Sequence, residues 1–375
     1  MNPGRDTTVK EKDIIDILHS FSRKAATKPD TVKKQFNFSL VPSAGYTLST
    51  GFAVDLSGNV VFYTDPANKE KLSTIYSNVT YDQHKQFLFR TSSSIWSEGQ
   101  KYLFSGDWRL LKYPENTFGL GSLTTTATTN LLDYSYVRFY ETILRKIFTN
   151  FYSGFGYNLD YHYQILEQGN DDHSISDYKN YGSNPTSVSS GITYNVLYDD
   201  RKNPINPLNG IYADVIYRSN FQFLGSNTAW QSLTVDFRKY FKLSPKSNNV
   251  LAIWMLDWVT LNGKPPYLDL PSTGWDTGGN TGRGYPQGRF RGNSMLYLEG
   301  EYRFNITRNR LLGGVMFANA ESFSAYSGNQ FQKVLPAYGP GLRIKFNKQS
   351  QTNLCIDYGI GQHSQGLFVN LGEVF

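Results

Sequence analysis

The chain has 375 residues, a formal charge of +6, 18% charged residues and 15% aromatic residues. The charged share lies below the roughly 25% usual in soluble domains, and 27 Tyr with 25 Phe exclude a disordered chain. The single cysteine, Cys355, excludes an intramolecular disulfide and a thiolate metal site.

No run reaches the ~18 apolar residues of a membrane-crossing helix, and the most apolar one, Val250 to Leu261, is interrupted by Asp257. The mean hydropathy of -0.45 agrees. A transmembrane β-strand needs only about 9 to 11 residues of alternating character, so neither observation bears on a barrel. Met1 to Asp6 lack the apolar core of a signal peptide, which predicts either a processed chain with its signal peptide removed or a protein that stays inside.

Ile14, Ile17, Leu18 and Phe21 follow the spacing of one helix face, and Thr8 with Glu11 makes a capping-box pattern. Together they predict a helix over Thr8 to Ala25. The basic linker after it (Arg23, Lys24, Lys28, Lys33, Lys34) suits an interfacial helix, a plug under a barrel or an ordinary docking helix. Residues 1–35 are thus expected to form a periplasmic helix and linker, and residues 36–375 a β-barrel domain.

From Phe36 onward, strand-length segments alternate between turns. Leu233, Val235 and Phe237 oppose Ser232, Thr234, Asp236 and Arg238. Phe155, Tyr157, Leu159 and Tyr161 oppose Asn158, Asp160, His162 and Gln164. Leu354, Ile356 and Tyr358 oppose Cys355 and Asp357. Only Tyr134 to Leu144 resists a parity assignment. About sixteen strands are predicted, beginning near residues 36, 50, 71, 86, 99, 130, 148, 186, 210, 228, 250, 292, 311, 337, 351 and 366. Connections after even strands are mostly short, as at Asn347 to Ser350. Several after odd strands are long, as at Gly263 to Arg291, the two-ended pattern of a transmembrane barrel. In water the apolar faces would form one sticky band; in lipid they are solvated, and closure leaves no strand edge unpaired. Tyr63, Trp96, Tyr113, Trp230, Trp254 and Trp258 are expected at the interfacial girdles.

Two segments carry more than periodicity. Asp200-Arg201-Lys202-Asn203-Pro204-Ile205-Asn206-Pro207-Leu208-Asn209-Gly210 has the prolines and Asn-Gly of a rigid connection that pins register, and it is expected to be a well-built turn without a further role. Gly282-Arg283-Gly284-Tyr285 sits in the long loop between predicted strands eleven and twelve. Glu299, Glu301 and Arg303 share one face of the strand that follows it. The chain ends in Leu371-Gly372-Glu373-Val374-Phe375, a predicted strand finishing on an aromatic.

These segments resemble the bacterial surface antigen family of outer-membrane β-barrels, the family of BamA, TamA and the two-partner secretion transporters. The first is similar to its D-x-R-x-N-P-x-N-P-x-x-G turn, the second to its V/I-R-G-F/Y loop tip, and Phe375 to its C-terminal insertion signal. The resemblance implies a sixth extracellular loop folded into the lumen, with Arg283 reaching Glu301 or Glu299 in a charge-assisted lock. Where the family places an Asp on the next strand, this chain has Asn319, which accepts a hydrogen bond but adds no charge. The residues ahead of Phe36 cannot hold a POTRA domain, so any client would be handled by the barrel, the helix or a partner protein.

Chemistry outside the resemblance is thin. There is no G-x-S-x-G, H-E-x-x-H or phosphate loop. His162 with Asp160 could act as a general base, and Asp171, Asp172 and His173 could hold a metal, but a lumen polar residue and a solvated loop are the preferred readings. The expectation is a non-enzymatic barrel with no cofactor and no metal, in the bacterial outer membrane. Its partners are outer-membrane lipid and lipopolysaccharide, with periplasmic or outer-membrane proteins besides, and no nucleic acid, because the charge behind a pI of 9.0 is not clustered. Its function would be assembly, translocation or lipid handling; the alternatives are a plugged passive channel and a structural subunit that recruits periplasmic partners.

Overall fold

Alternation decides the architecture, because a strand with one apolar and one polar face stays buried on both sides only when one side meets lipid and the other a filled lumen. The computed structural model describes residues 10–21, 36–47, 51–64, 71–245, 247–325 and 330–375. The wall is built from β1 (Phe36–Thr47), β2 (Gly51–Phe62), β3 (Ser73–Asp82), β4 (Phe87–Trp96) and β5 (Tyr102–Lys112). After the three-residue β6 (Glu115–Thr117) come β7 (Asn130–Phe148), β8 (Phe151–Asn170), β9 (Thr186–Asp199), β10 (Gly210–Asn220) and β11 (Trp230–Lys242). The circuit continues with β12 (Val250–Gly263), β13 (Ser294–Asn305), β14 (Leu312–Phe323), β15 (Leu335–Asn347), β16 (Thr352–Gly361) and β17 (Ser364–Leu371). Each strand pairs antiparallel with its sequence neighbour; β5 pairs with β7, and β6 lies beside β7 within the loop between them. Setting β6 aside leaves the sixteen wall strands that the alternation predicts. No helix among the described residues is long and apolar enough to cross a membrane.

The circuit is nearly closed. β1 and β17 lie side by side, yet among the described residues no residue-to-residue register joins them as it joins every other neighbouring pair. The outer face carries Phe38, Leu40, Phe52, Phe104, Trp108 and Phe155, all exposed. The lumen is packed on its far side by Tyr240, Trp254, Tyr285, Tyr297 and Phe323, and under the loops by Tyr113, Tyr134, Tyr136 and Trp275.

Several expectations change here. Trp96, Tyr113, Trp230 and Trp254 are buried inside the barrel and not at the girdles; Trp254 donates to Asp236 at 3.0 Å, so its polar edge is satisfied by the lumen wall. Gln164 has a φ of 55° where the register slips, which turns Ile165 inward and leaves Gln164 exposed. The unassigned Tyr134 to Leu144 stretch belongs to β7, whose inward tyrosines meet packed loops and so look apolar on both faces.

The helix is α1 (Ile14–Phe21); residues 10–13 ahead of it are not helical, and residues 8, 9 and 22–25 of the expected span lie outside the described residues. Its cap is reciprocal: Asp16 N donates to Asp13 Oδ1 at 2.8 Å and Asp13 N to Asp16 Oδ2 at 3.2 Å. Glu11 precedes the helix; Thr8 and the basic linker lie outside the described residues. α1 rests on the barrel rim beside the β15–β16 turn, where Lys348 Nζ reaches Asp16 at 2.6 Å and Lys12 N donates to Asn309 O at 3.1 Å.

Candidate functional site

The site grows from the connection between β12 and β13, residues 264–293, called L6 here because by strand order it is the sixth connection at its end of the barrel. Its descending hairpin is shaped by Asp276, whose carboxylate accepts from Gly278 N, Asn280 N and Thr281 N at 3.0, 2.9 and 2.8 Å. Gly282 and Gly284 adopt φ of 73° and 121° on either side of Arg283. The tip lies flat on β16: a Cβ on Gly359 would come 2.6 Å from Gly284 N, so side chains are absent where the backbones meet.

Arg283 is 1% exposed and bonds to Glu299 and Glu301 of β13 and to Asp357 of β16. Its guanidinium lies 3.8 Å from the ring centroid of Phe317. The structure therefore brings Arg283 to both glutamates named from parity and adds a third carboxylate. Asn319, expected as an acceptor, instead donates from Nδ2 to the Arg283 carbonyl at 3.0 Å and fixes the loop backbone. Tyr285 O–H donates to Pro336 O at 2.9 Å and accepts from Gln362 N at 3.0 Å, tying the tip to β15 and to the β16–β17 turn.

The charges continue beyond the tip. Arg303 bonds to Glu301 at 2.6 Å, and Arg343 bonds to Asp357 and, at 2.8 Å, to Glu373. Glu373 belongs to the chain end, where the structure departs from a strand running to Phe375. β17 stops at Leu371, and Gly372, at φ 103°, turns the last residues into the lumen. Phe375 is 3% exposed, 5.2 Å from the Trp254 ring and 5.0 Å from the Arg303 guanidinium. Arg303 Nη2 also donates to Phe375 O at 3.0 Å, and Asn280 of L6 to Val374 O at 2.9 Å. Buried carboxylates at this density persist because each meets a guanidinium.

The β9–β10 turn does more than pin register. Arg201 is chelated by Asp199 at 3.0 and 3.1 Å over the ring of Tyr212, while Asp200 accepts from Ile211 N as Gly210 opens β10 at φ 120°. From Asn203 to Asn206 the turn crosses the barrel mouth at the end where α1 sits: Asn203 Nδ2 donates to Ser350 O at 3.0 Å and Asn206 Nδ2 to Gln351 O at 3.3 Å. Ile205 O accepts from Glu373 N at 3.1 Å, so the strap also holds the inward tail.

The other chemical candidates disperse. Asp160 is occupied by Arg218 at 2.6 Å and by Tyr136 and Tyr140, while His162 stacks on Tyr136 at 4.2 Å. Both Ser187 and Asp269 approach His162 at the same nitrogen, Nδ1, which is not the two-sided geometry of a nucleophile, base and orienter. Asp172 accepts from Ser174 N at 3.0 Å in a local turn. Sequence reasoning missed Asp276, Glu373 and the role of Asp357; only Asp357 left a signal, its inward parity beside Cys355.

An Omp85 superfamily domain matches residues 25–375. Among solved structures, the chain is similar to BamA from Haemophilus ducreyi lacking POTRA domains 1-3, with 13% identity and a TM-score of 0.55 over 88% of this chain and 68% of that one. CdiB from Acinetobacter baumannii has 14% identity and a TM-score of 0.57 over 91% and 60%; CdiB from Escherichia coli has 10% and 0.53 over 89% and 61%. The chain thus spans about two thirds of the BamA chain and about three fifths of each CdiB chain. No curated protein sequence matches it. With its wall, inward loop and family match in agreement, the chain belongs to the Omp85 superfamily of bacterial outer-membrane β-barrels.

Proposed function

We propose that this barrel assembles or translocates polypeptides at the seam between β1 and β17, in contact with outer-membrane lipid and lipopolysaccharide and without covalent chemistry. One observation carries the reading: β1 and β17 share no register while the chain end that could extend β17 is withdrawn into the lumen. An unpaired strand edge in hydrocarbon is costly, and an incoming strand relieves that cost by pairing with it. The Arg283 lock and the β9–β10 strap would keep the lumen shut while the seam works. Periplasmic or outer-membrane proteins would deliver the client, with α1 at the rim as one contact.

In a Cys355→Ser background, cysteines placed along Phe38 to Pro42 are paired with cysteines along Leu367 to Val369, and the barrel is reconstituted in liposomes with an unfolded barrel client. Oxidative bridging of the seam is expected to abolish acceleration of client folding, with recovery on reduction. Full bridging with undiminished acceleration overturns the reading. A plugged passive channel is the second reading, favoured by the lumen cavity of about 710 Å³; large steady wild-type conductance in a planar bilayer is its signature.

A further inference from the structure

The lumen cavity lies between the L6 hairpin and the opposite wall, and Arg90 of β4 faces it. Arg109, Arg138, Arg218, Arg238, Arg303 and Arg343 each have a carboxylate within 4.0 Å. Arg90 has none among the described residues. Its Nε is buried without a hydrogen-bond partner, and so is Nη1 of Arg109, which is 1% exposed. Register places Arg90, Arg109 and Arg138 side by side across β4, β5 and β7. Asp107 serves the last two, at 2.8 and 3.2 Å, and Arg138 shares Asp160 with Arg218. Asp55 of β2, which also lines the cavity, already accepts from Thr80 at 2.6 Å, from Ser57 at 2.8 Å and from Asn78.

A guanidinium held beside two others, in a partly dewatered lumen, gains most from an arriving counter-charge. The wall next to it is small and donor-rich. Ser92 and Ser94 follow Arg90 along the inward face, Ser94 pairs in register with Ser105, and all three line the cavity. In front of the guanidinium, a Cβ on Gly279 would come 3.2 Å from Arg90 Nη1, so L6 leaves that space open by having no side chain there. The charge of Arg90 and the hydroxyls on the same cavity wall suit the several acceptor oxygens of a tetrahedral oxyanion.

We propose that Arg90 and the Ser92 and Ser94 hydroxyls form a lumenal binding site for a phosphate-type oxyanion, with the buried Arg109 guanidinium beside Arg90 adding positive charge, separate from the Arg283 lock and independent of the assembly reading. The cavity reaches Phe368 to Asn370 of β17 and Pro204 of the strap, so the anion has two routes: as a lipid headgroup through the seam, or as free phosphate through the mouth.

The test is titration calorimetry of the full chain in detergent with inorganic phosphate and with dihexanoyl phosphatidic acid. Saturable binding of either probe is expected, weakened at least tenfold by Arg90→Gln and unchanged by Arg145→Gln, which alters an exposed arginine of β7. Tighter binding of the phosphatidic acid identifies a headgroup source, and equal or tighter binding of inorganic phosphate a free-anion source. If Arg90→Gln fails to give the folded band on a gel, the Ser92→Ala, Ser94→Ala double variant decides, with at least threefold weaker binding expected. Absence of saturation with both probes, or wild-type affinity in the deciding variant, overturns the site.

Discussion

Arg283 shows at the residue scale how one side chain can hold a loop in place. Removing it leaves Glu299, Glu301 and Asp357 facing each other at 1% exposure or less, and breaking a buried ion pair from one side costs about 3–5 kcal/mol. Arg283→Ala is therefore expected to lower the temperature at which the folded barrel loses its compact gel migration. Arg283→Lys should lower it less, since an ammonium keeps the charge but lacks the planar fork that reaches three carboxylates. An unchanged transition temperature in Arg283→Ala contradicts the lock. Arg283 was legible because Gly282-Arg283-Gly284-Tyr285 resembles the family's loop tip, and Glu299 and Glu301 because they alternate two apart on one face. Asp357 was not, because nothing local ties a carboxylate to an arginine 74 positions earlier.

Elements meet through surfaces that alternation does not encode. The strand starts could be placed to within a few residues, since a period of two survives lipid on one side and polar packing on the other. The tryptophans misled because Trp96 and Trp254 are buried inside the lumen, Trp254 donating its indole N–H to Asp236, so that parity and not aromatic identity decides the face. The L6–β16 contact is tested by Gly359→Val: its Cβ would lie 2.6 Å from Gly284 N, with backbone on both sides and no flexible atom to yield. The variant is expected to fold, lose the docked tip and raise single-channel conductance well above wild type; wild-type conductance counts against a docked tip as the plug. At the rim, the hydrogen bond from Lys348 holds the Asp16 carboxyl below its usual 3.8, against a smaller opposing effect of burial. A depressed carboxyl pKa contributes stability that is present above about pH 4 and lost as pH falls through the lowered value. Amide exchange over Ile14–Phe21 should accelerate on acidification from pH 7 to pH 3 in wild type but be already fast at pH 7 in Asp16→Asn. Equal protection of both proteins at pH 7 removes the contact from the account.

Across the whole molecule, two parts that are far apart in sequence, the lock and the tail, converge on the same guanidiniums. Asp357 belongs to the lock and Glu373 to the tail, and Arg343 bonds to both, while Arg303 joins Glu301 of the lock to the carbonyl of Phe375. The strap then meets the tail at Ile205. A barrel whose lock and tail shared no partner would show additive losses when each is weakened, whereas groups in one network couple by about 0.5–3 kcal/mol. Arg283→Ala removes the lock, and Glu373→Gln removes the tail charge while keeping a hydrogen-bonding amide of similar shape. Without Glu373, Arg343 and Arg303 turn wholly to Asp357 and Glu301, which are the carboxylates that Arg283→Ala leaves short of positive charge. The double variant is therefore expected to unfold at a higher temperature than the sum of the single losses predicts, in one detergent and at fixed ionic strength. Strict additivity would make the inward tail a separate latch, and release of the seam would then need no signal from the loop above it.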